Sequence, residues 1–230
     1  MAKSVKAKSG AAAPSVSDIK PEVVVISPPN FKKAAIRLRG TSPYVGHRFS
    51  EKSLRIMEDR QRAGEQGKKD KKREARDFEA DYLAAIHVSR EGWYGIPAPC
   101  FRNAAISACR VAGFAMTRAK LSLFVIADGY DHLDGSPLVR IYGECRPTPP
   151  MSVRNESGVA DLRVRPVWEE WYVDLTLRWD GDQFSFADVF NLLNRAGNQV
   201  GIGEGRPDSP HSNGLGWGTF EVDTQQLVAA

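Results

Sequence analysis

The chain has 230 residues, 42% of them hydrophobic, and 32 Lys and Arg against 28 Asp and Glu give a formal net charge of +4. That length suits one sizeable domain with tails and insertions, and the mild basic excess is compatible with a nucleic-acid partner without requiring one. Three cysteines, Cys100, Cys109 and Cys145, with no CxxC pair, argue against a disulfide framework and a zinc site, and no apolar run is long enough to span a membrane. The composition fits a reducing, cytoplasmic setting, no leader is recognised at the N-terminus, and no cofactor or metal is expected.

Residues 1–20 are Lys, Ser, Ala and Gly with almost no large apolar side chain, the composition of a disordered basic tail. A single domain is expected over 31–222, with a charged insertion at 45–90, a long loop at 146–166 and a C-terminal tail at 223–230. From Lys33 to Arg39 the side chains alternate. Ala34, Ile36 and Leu38 face a core, while Ala35, Arg37 and Arg39 face outward on a basic strand surface. Gly40-Thr41-Ser42-Pro43 turns the chain. Tyr44, His47, Arg48 and Phe49 follow, and then the insertion, whose basic centre holds Lys68, Lys69, Lys71, Lys72 and Arg73. Such a run is ordinarily a solvated helical face, and it also suits a basic finger laid across a nucleic-acid strand.

A helix is expected from about Ala98 to Val111, stopped near Gly113. Strands are expected at Leu121–Ala127, read as central because it is almost wholly apolar, and at Leu138–Gly143. Between these strands Asp128, Asp131, His132 and Asp134 lack the spacing of a calcium loop and read as a polar hairpin turn. The loop at 146–166 carries Met151, Arg154, Arg163 and Arg165, a possible thumb over a bound strand. Trp171 to Trp179 alternates most cleanly of all, with Trp171, Val173, Leu175, Leu177 and Trp179 on one side and Tyr172, Asp174, Thr176 and Arg178 on the other. Ser185, with Asp188 three residues on, opens a last helix that Gly197 should stop.

Then comes Gly201-Ile202-Gly203-Glu204-Gly205-Arg206-Pro207, followed by Gly214-Leu215-Gly216-Trp217-Gly218 and a closing strand from Trp217 to Val222. No Gly-Lys-Ser/Thr follows, so a P-loop is excluded, and the loop lies after a helix where a dinucleotide site needs a strand. The residue types are consistent with two readings: a tightly folded connection, or a bared backbone whose N–H groups, with Arg206, receive phosphate oxygens. Without one hairpin strand the element order is βαββαβ, an α+β ferredoxin-like unit with an antiparallel sheet and helices on one face.

The glycine-loop wording, with the Lys33-to-Pro43 strand and turn, resembles the RAMP superfamily, RNA-binding backbone subunits and repeat-processing proteins of CRISPR systems. It is also similar to bacteriophage proteins sharing Gly-Ile-Gly-Glu-x-Arg-Pro. The resemblance implies an RRM-type sheet and a non-enzymatic protein that binds single-stranded RNA or DNA in repeated copies, as a homo-oligomer or filament. Gly201, Gly203, Gly205, Arg206, Arg37 and Arg39 would hold the backbone, and Trp217, Tyr44 or Tyr142 would stack on bases. Some repeat-processing members cleave RNA with a histidine in the region of His47, which makes a metal-independent endoribonuclease the first alternative. A phage structural or assembly protein is the second.

Overall fold

The computed structural model describes residues 27–48, 58–59, 61–62, 77–154, 160–209 and 215–224. The basic tail at 1–20 and the insertion's basic centre, Lys68, Lys69, Lys71, Lys72 and Arg73, lie outside the described residues. The fold is mixed α+β, with several antiparallel sheets and helices.

The main sheet has four strands: β1 (Phe31–Gly40), β4 (Leu123–Ile126), β11 (Tyr172–Asp180) and β12 (Phe220–Val222). They lie in the order β12-β1-β11-β4, and every neighbouring pair is antiparallel. The centre is the long β1–β11 pairing, which runs from Phe31 opposite Asp180 to Arg39 opposite Tyr172. Period-two alternation sends Ile36, Leu38, Val173, Leu175 and Leu177 to one side, all at most 1% exposed. Each such side chain contributes about 1.5–3 kcal/mol by leaving water.

Helices cover that apolar side. α2 (Ala98–Ala112) carries Pro99 in its first turn and ends on Gly113, whose φ of 70° supplies the left-handed cap. Its buried face holds Phe101 together with Ala104, Ala105, Ala108 and Cys109, and these last four, being small, let the helix approach the sheet closely. α4 (Phe186–Arg195) opens on the expected capping box: the Asp188 amide donates to Ser185 Oγ at 3.1 Å, and the Ser185 amide donates to Asp188 Oδ2 at 2.9 Å. α2 joins the first strand of the sheet to the second in chain order, and α4 joins the third to the fourth.

Three expectations need correction. The stretch Leu121–Ala127 is not a central strand: α3 (Met116–Ser122) takes its first residues, and β4, only four residues long, lies at the sheet edge. Gly197 does not stop the last helix. The chain continues as a single π turn, Ala196–Val200, because a Cβ at Gly197 would stand 1.9 Å from the Phe220 carbonyl oxygen, and only glycine lets this turn press against β12. The sheet also does not stand alone. β6 (Pro137–Arg140) pairs with β3 (Gly95–Pro97) and β5 (Gly129–Tyr130), so the hairpin strand set aside in the sequence belongs to a second sheet.

A third sheet joins β2 (Tyr44–Val45), β10 (Pro166–Trp168) and β7 (Cys145–Pro147). The long loop also holds a separate hairpin, β8 (Met151–Arg154) with β9 (Ala160–Arg163). Ahead of these, α1 (Phe78–Ala84) starts on Asp77, whose carboxylate accepts from the amides of Glu79 and Ala80.

Candidate nucleic-acid interface

The side of the main sheet away from the helices carries Phe31, Lys33, Ala35, Arg37 and Arg39 from β1, and Tyr172, Asp174, Thr176 and Arg178 from β11. Arg37 and Arg39 are not free solvated charges. Arg37 grips Asp174 through two bonds, Nε to Oδ1 at 2.7 Å and Nη2 to Oδ2 at 2.8 Å. That pairing pushes its pKa up and fixes the plane of the guanidinium. Arg39 reaches Asp223 more loosely, at 3.5 Å, with 62% of its side chain exposed.

Two aromatic clusters stand on this surface. Arg37 lies 4.6 Å from the Tyr172 ring centroid; Tyr172 stacks on Tyr142 at 4.7 Å and 7°; Arg140 lies 5.1 Å from the far ring. The backbone aligns the two tyrosines, because each donates its amide to the other's carbonyl, at 3.0 and 3.1 Å. At the other end of β11 the rings of Phe31 and Phe124 meet edge to face, 5.9 Å apart. The Arg178 guanidinium covers both, at 4.6 and 5.0 Å. Arg102 adds a contact to Phe124 at 5.4 Å while donating to the carbonyls of Leu123 and Lys120.

The glycine loop packs elsewhere, against β2. The amides of Gly201, Ile202 and Glu204 donate to the carbonyls of Ala196, Gly218 and Val45, at 2.8, 2.9 and 3.0 Å. The expectation of bared donors therefore does not hold at these positions. Gly203 has a φ of 78°, and a Cβ there would stand 2.6 Å from Val45 O and 2.7 Å from the Tyr44 ring. Trp217 lies against Gly205 and donates its amide to the Gly205 carbonyl at 3.1 Å, so it clamps the loop. Arg206 donates inward, Nη1 to Gly203 O at 3.2 Å. Tyr44, a stacking candidate in the sequence, is 3% exposed and packs between Trp168 and Trp171.

What the loop does present is Glu204. Its carboxylate accepts from Arg165 Nε at 2.7 Å and stands 3.8 Å from His47 Nδ1. Burial, reinforced by Arg165 and opposed by Glu204, pushes the His47 pKa down to about 4, so the imidazole is neutral at physiological pH. The next residue, Arg48, is buried to 4% side-chain exposure and meets the fully buried Asp131 at 3.3 Å, while its Nε has no hydrogen-bond partner. Asp131 also bonds His87 Nδ1 at 2.9 Å and accepts from the Leu133 amide at 2.8 Å. The Asp128–Asp134 turn is thus a structural anchor. Among the described residues no group of three or more His, Cys, Asp and Glu could hold a metal ion.

The structure places Arg37 and Arg39 on the open sheet surface, and Gly201, Gly203, Gly205, Arg206, Trp217 and His47 in the loop cluster beside β2. Each set is held by its own partners. Sequence reading missed Phe31, Phe124 and Arg178 as a unit, although the outward parity of Arg178 was visible, and it missed Glu204 as the partner of His47. No helix among the described residues is long and apolar enough to cross a membrane. No protein-family model matches the chain, and no curated protein matches it either.

Proposed function

We propose that this protein binds single-stranded nucleic acid, RNA first among the candidates, along the open surface of the four-stranded sheet, without performing chemistry on it. Several copies would sit along one strand. The observation that carries the reading is the pair of guanidinium–aromatic stacks on a sheet surface that no other described element covers, since every base has a π-face and base–aromatic stacking tolerates any sequence. The four strands, ordered last-first-third-second with a helix in each crossover, support reading the unit as ferredoxin-like and RRM-type. Together with the glycine-loop wording, that order supports the RAMP resemblance.

Asp174, Glu221 and Asp223 offset much of the positive charge on this surface, so stacking should count for as much as phosphate attraction. A labelled oligonucleotide titrated at rising salt tests this. Binding should be tight at low salt, with a shallow slope that Arg39→Ala or Lys33→Ala reduces by about 0.7 each. Absence of single-strand binding at low salt contradicts the proposal.

A second reading rests on His47. A neutral imidazole beside the Glu204 carboxylate, itself held by the buried Arg165, is equipped to take a proton from a ribose 2′-hydroxyl, whose oxygen would attack the adjacent phosphorus and expel the 5′-oxygen of the next nucleotide. This endoribonuclease would cut RNA in excess chelator and lose activity on His47→Ala. RNA left intact after long incubation removes that reading. The assembly-protein alternative is separated by purification: stable oligomers free of co-purifying nucleic acid favour it.

A further inference from the structure

We infer that the open sheet surface takes bases at two separate stacking stations, one at each end of β11, with a ring-free stretch between them. The inference deepens the single-strand reading and rests on it. One station is the layered set Arg37, Tyr172, Tyr142 and Arg140. The other is the Arg178 guanidinium lying over Phe31 and Phe124.

In both stations the planar guanidinium covers an aromatic ring, so an incoming base meets a delocalised cation backed by a π-system. Arg37 is held in place by its two bonds to Asp174, which removes the ordering cost of binding on it. Phe31 is 42% exposed although it is a large apolar side chain, and no core contact requires it there.

Between the stations the outward residues are Ala35, which is exposed, and Asp174, Thr176 and Ile126, which are half-buried, and none of them offers a ring. The Asp174 carboxylate also disfavours a phosphate at that point. Tyr172 and Arg178 are six residues apart on one strand, which at about 3.3 Å per residue sets the stations about 20 Å apart. An extended single strand crosses that distance in about four nucleotides. The expected ligand is therefore a short single strand whose outer bases carry the binding and whose inner bases do not. A duplex, with its bases already stacked on each other, is a poor ligand.

The test is an abasic scan. A fluorescein-labelled oligothymidylate about six nucleotides long is titrated intact, with abasic residues at both outer positions, or with abasic residues in the middle. Removal of the outer bases should weaken binding about tenfold or more, and removal of the middle bases should leave it within about twofold. Phe31→Leu and Tyr142→Leu should each abolish the penalty at one end only, whereas Tyr142→Phe should behave as the parent. Equal penalties at middle and ends, or penalties indifferent to both leucine variants, overturn the two-station arrangement and leave single-strand binding standing. Failure of the intact oligomer to bind at low salt overturns both.

Discussion

At the scale of single residues, the densest physical constraint is the anchor around Asp131. Its carboxylate is 0% exposed and serves His87, the Leu133 amide and the buried Arg48 guanidinium. Asp131→Ala should cost about 3 kcal/mol, because it strands a buried cation, and chemical denaturation would register this as a lower midpoint at unchanged slope. Gly218 is a second constraint. Its φ is 68° and a Cβ would lie 1.8 Å from Ile202 O, so Gly218→Ala should destabilise by about 3 kcal/mol or fail to accumulate folded protein. His47 sets a pH dependence. Its folded pKa of about 4 lies below the ordinary value of 6.5, so its contribution is fully present above pH 6.5 and is lost as pH falls toward 4. The side chain is 35% exposed, and screening by solvent keeps that loss to about 1 kcal/mol. Thermal melting at stepped pH should show His47→Gln losing less stability than the parent across that window.

At the scale of elements, legibility in the sequence follows how local the deciding interaction is. β11 could be read because one side is core and the other solvent, which leaves an uninterrupted alternation from Trp171 to Trp179. α4 could be read because its capping box is contained within four residues. The Leu121–Ala127 stretch could not, because a short apolar run suits a buried strand and a helix end equally, and packing against α2 decides. For the site, parity placed Arg37 and Arg39 on the outer surface. It could not reveal that Tyr172 stacks on Tyr142, thirty residues away, or that Arg178 bridges Phe31 and Phe124, since cross-strand partners depend on register. The glycine loop shows the limit from the other direction. Its glycines Gly201, Gly203, Gly205 and Gly218 are explained by close packing at positive φ, and the amides of Gly201, Ile202 and Glu204 turn inward. If its role is to hold Glu204 against Arg165, Glu204→Gln should lower the melting temperature by a few degrees, about 1–2 kcal/mol, and leave oligonucleotide affinity within about twofold.

At the scale of the whole molecule, the helices seal one side of the main sheet, and among the described residues the other side is left open, with rings and guanidinium groups arranged at its two ends. Hydrophobic burial accounts for the sealed side. It does not account for Phe31 exposed in front of a guanidinium, or for a four-layer Arg-Tyr-Tyr-Arg stack at the opposite end; the proposed recognition of a flat aromatic ligand would account for both. Photochemical cross-linking tests this claim most directly: a single-stranded oligonucleotide bearing 5-bromouracil is irradiated with the full chain at low salt, and the adducts are mapped by mass spectrometry. Adducts on Phe31, Phe124, Tyr142 or Tyr172 are expected. Adducts confined to the glycine loop or to the outer surfaces of the helices, or an absence of adducts at saturating oligonucleotide, would contradict the account.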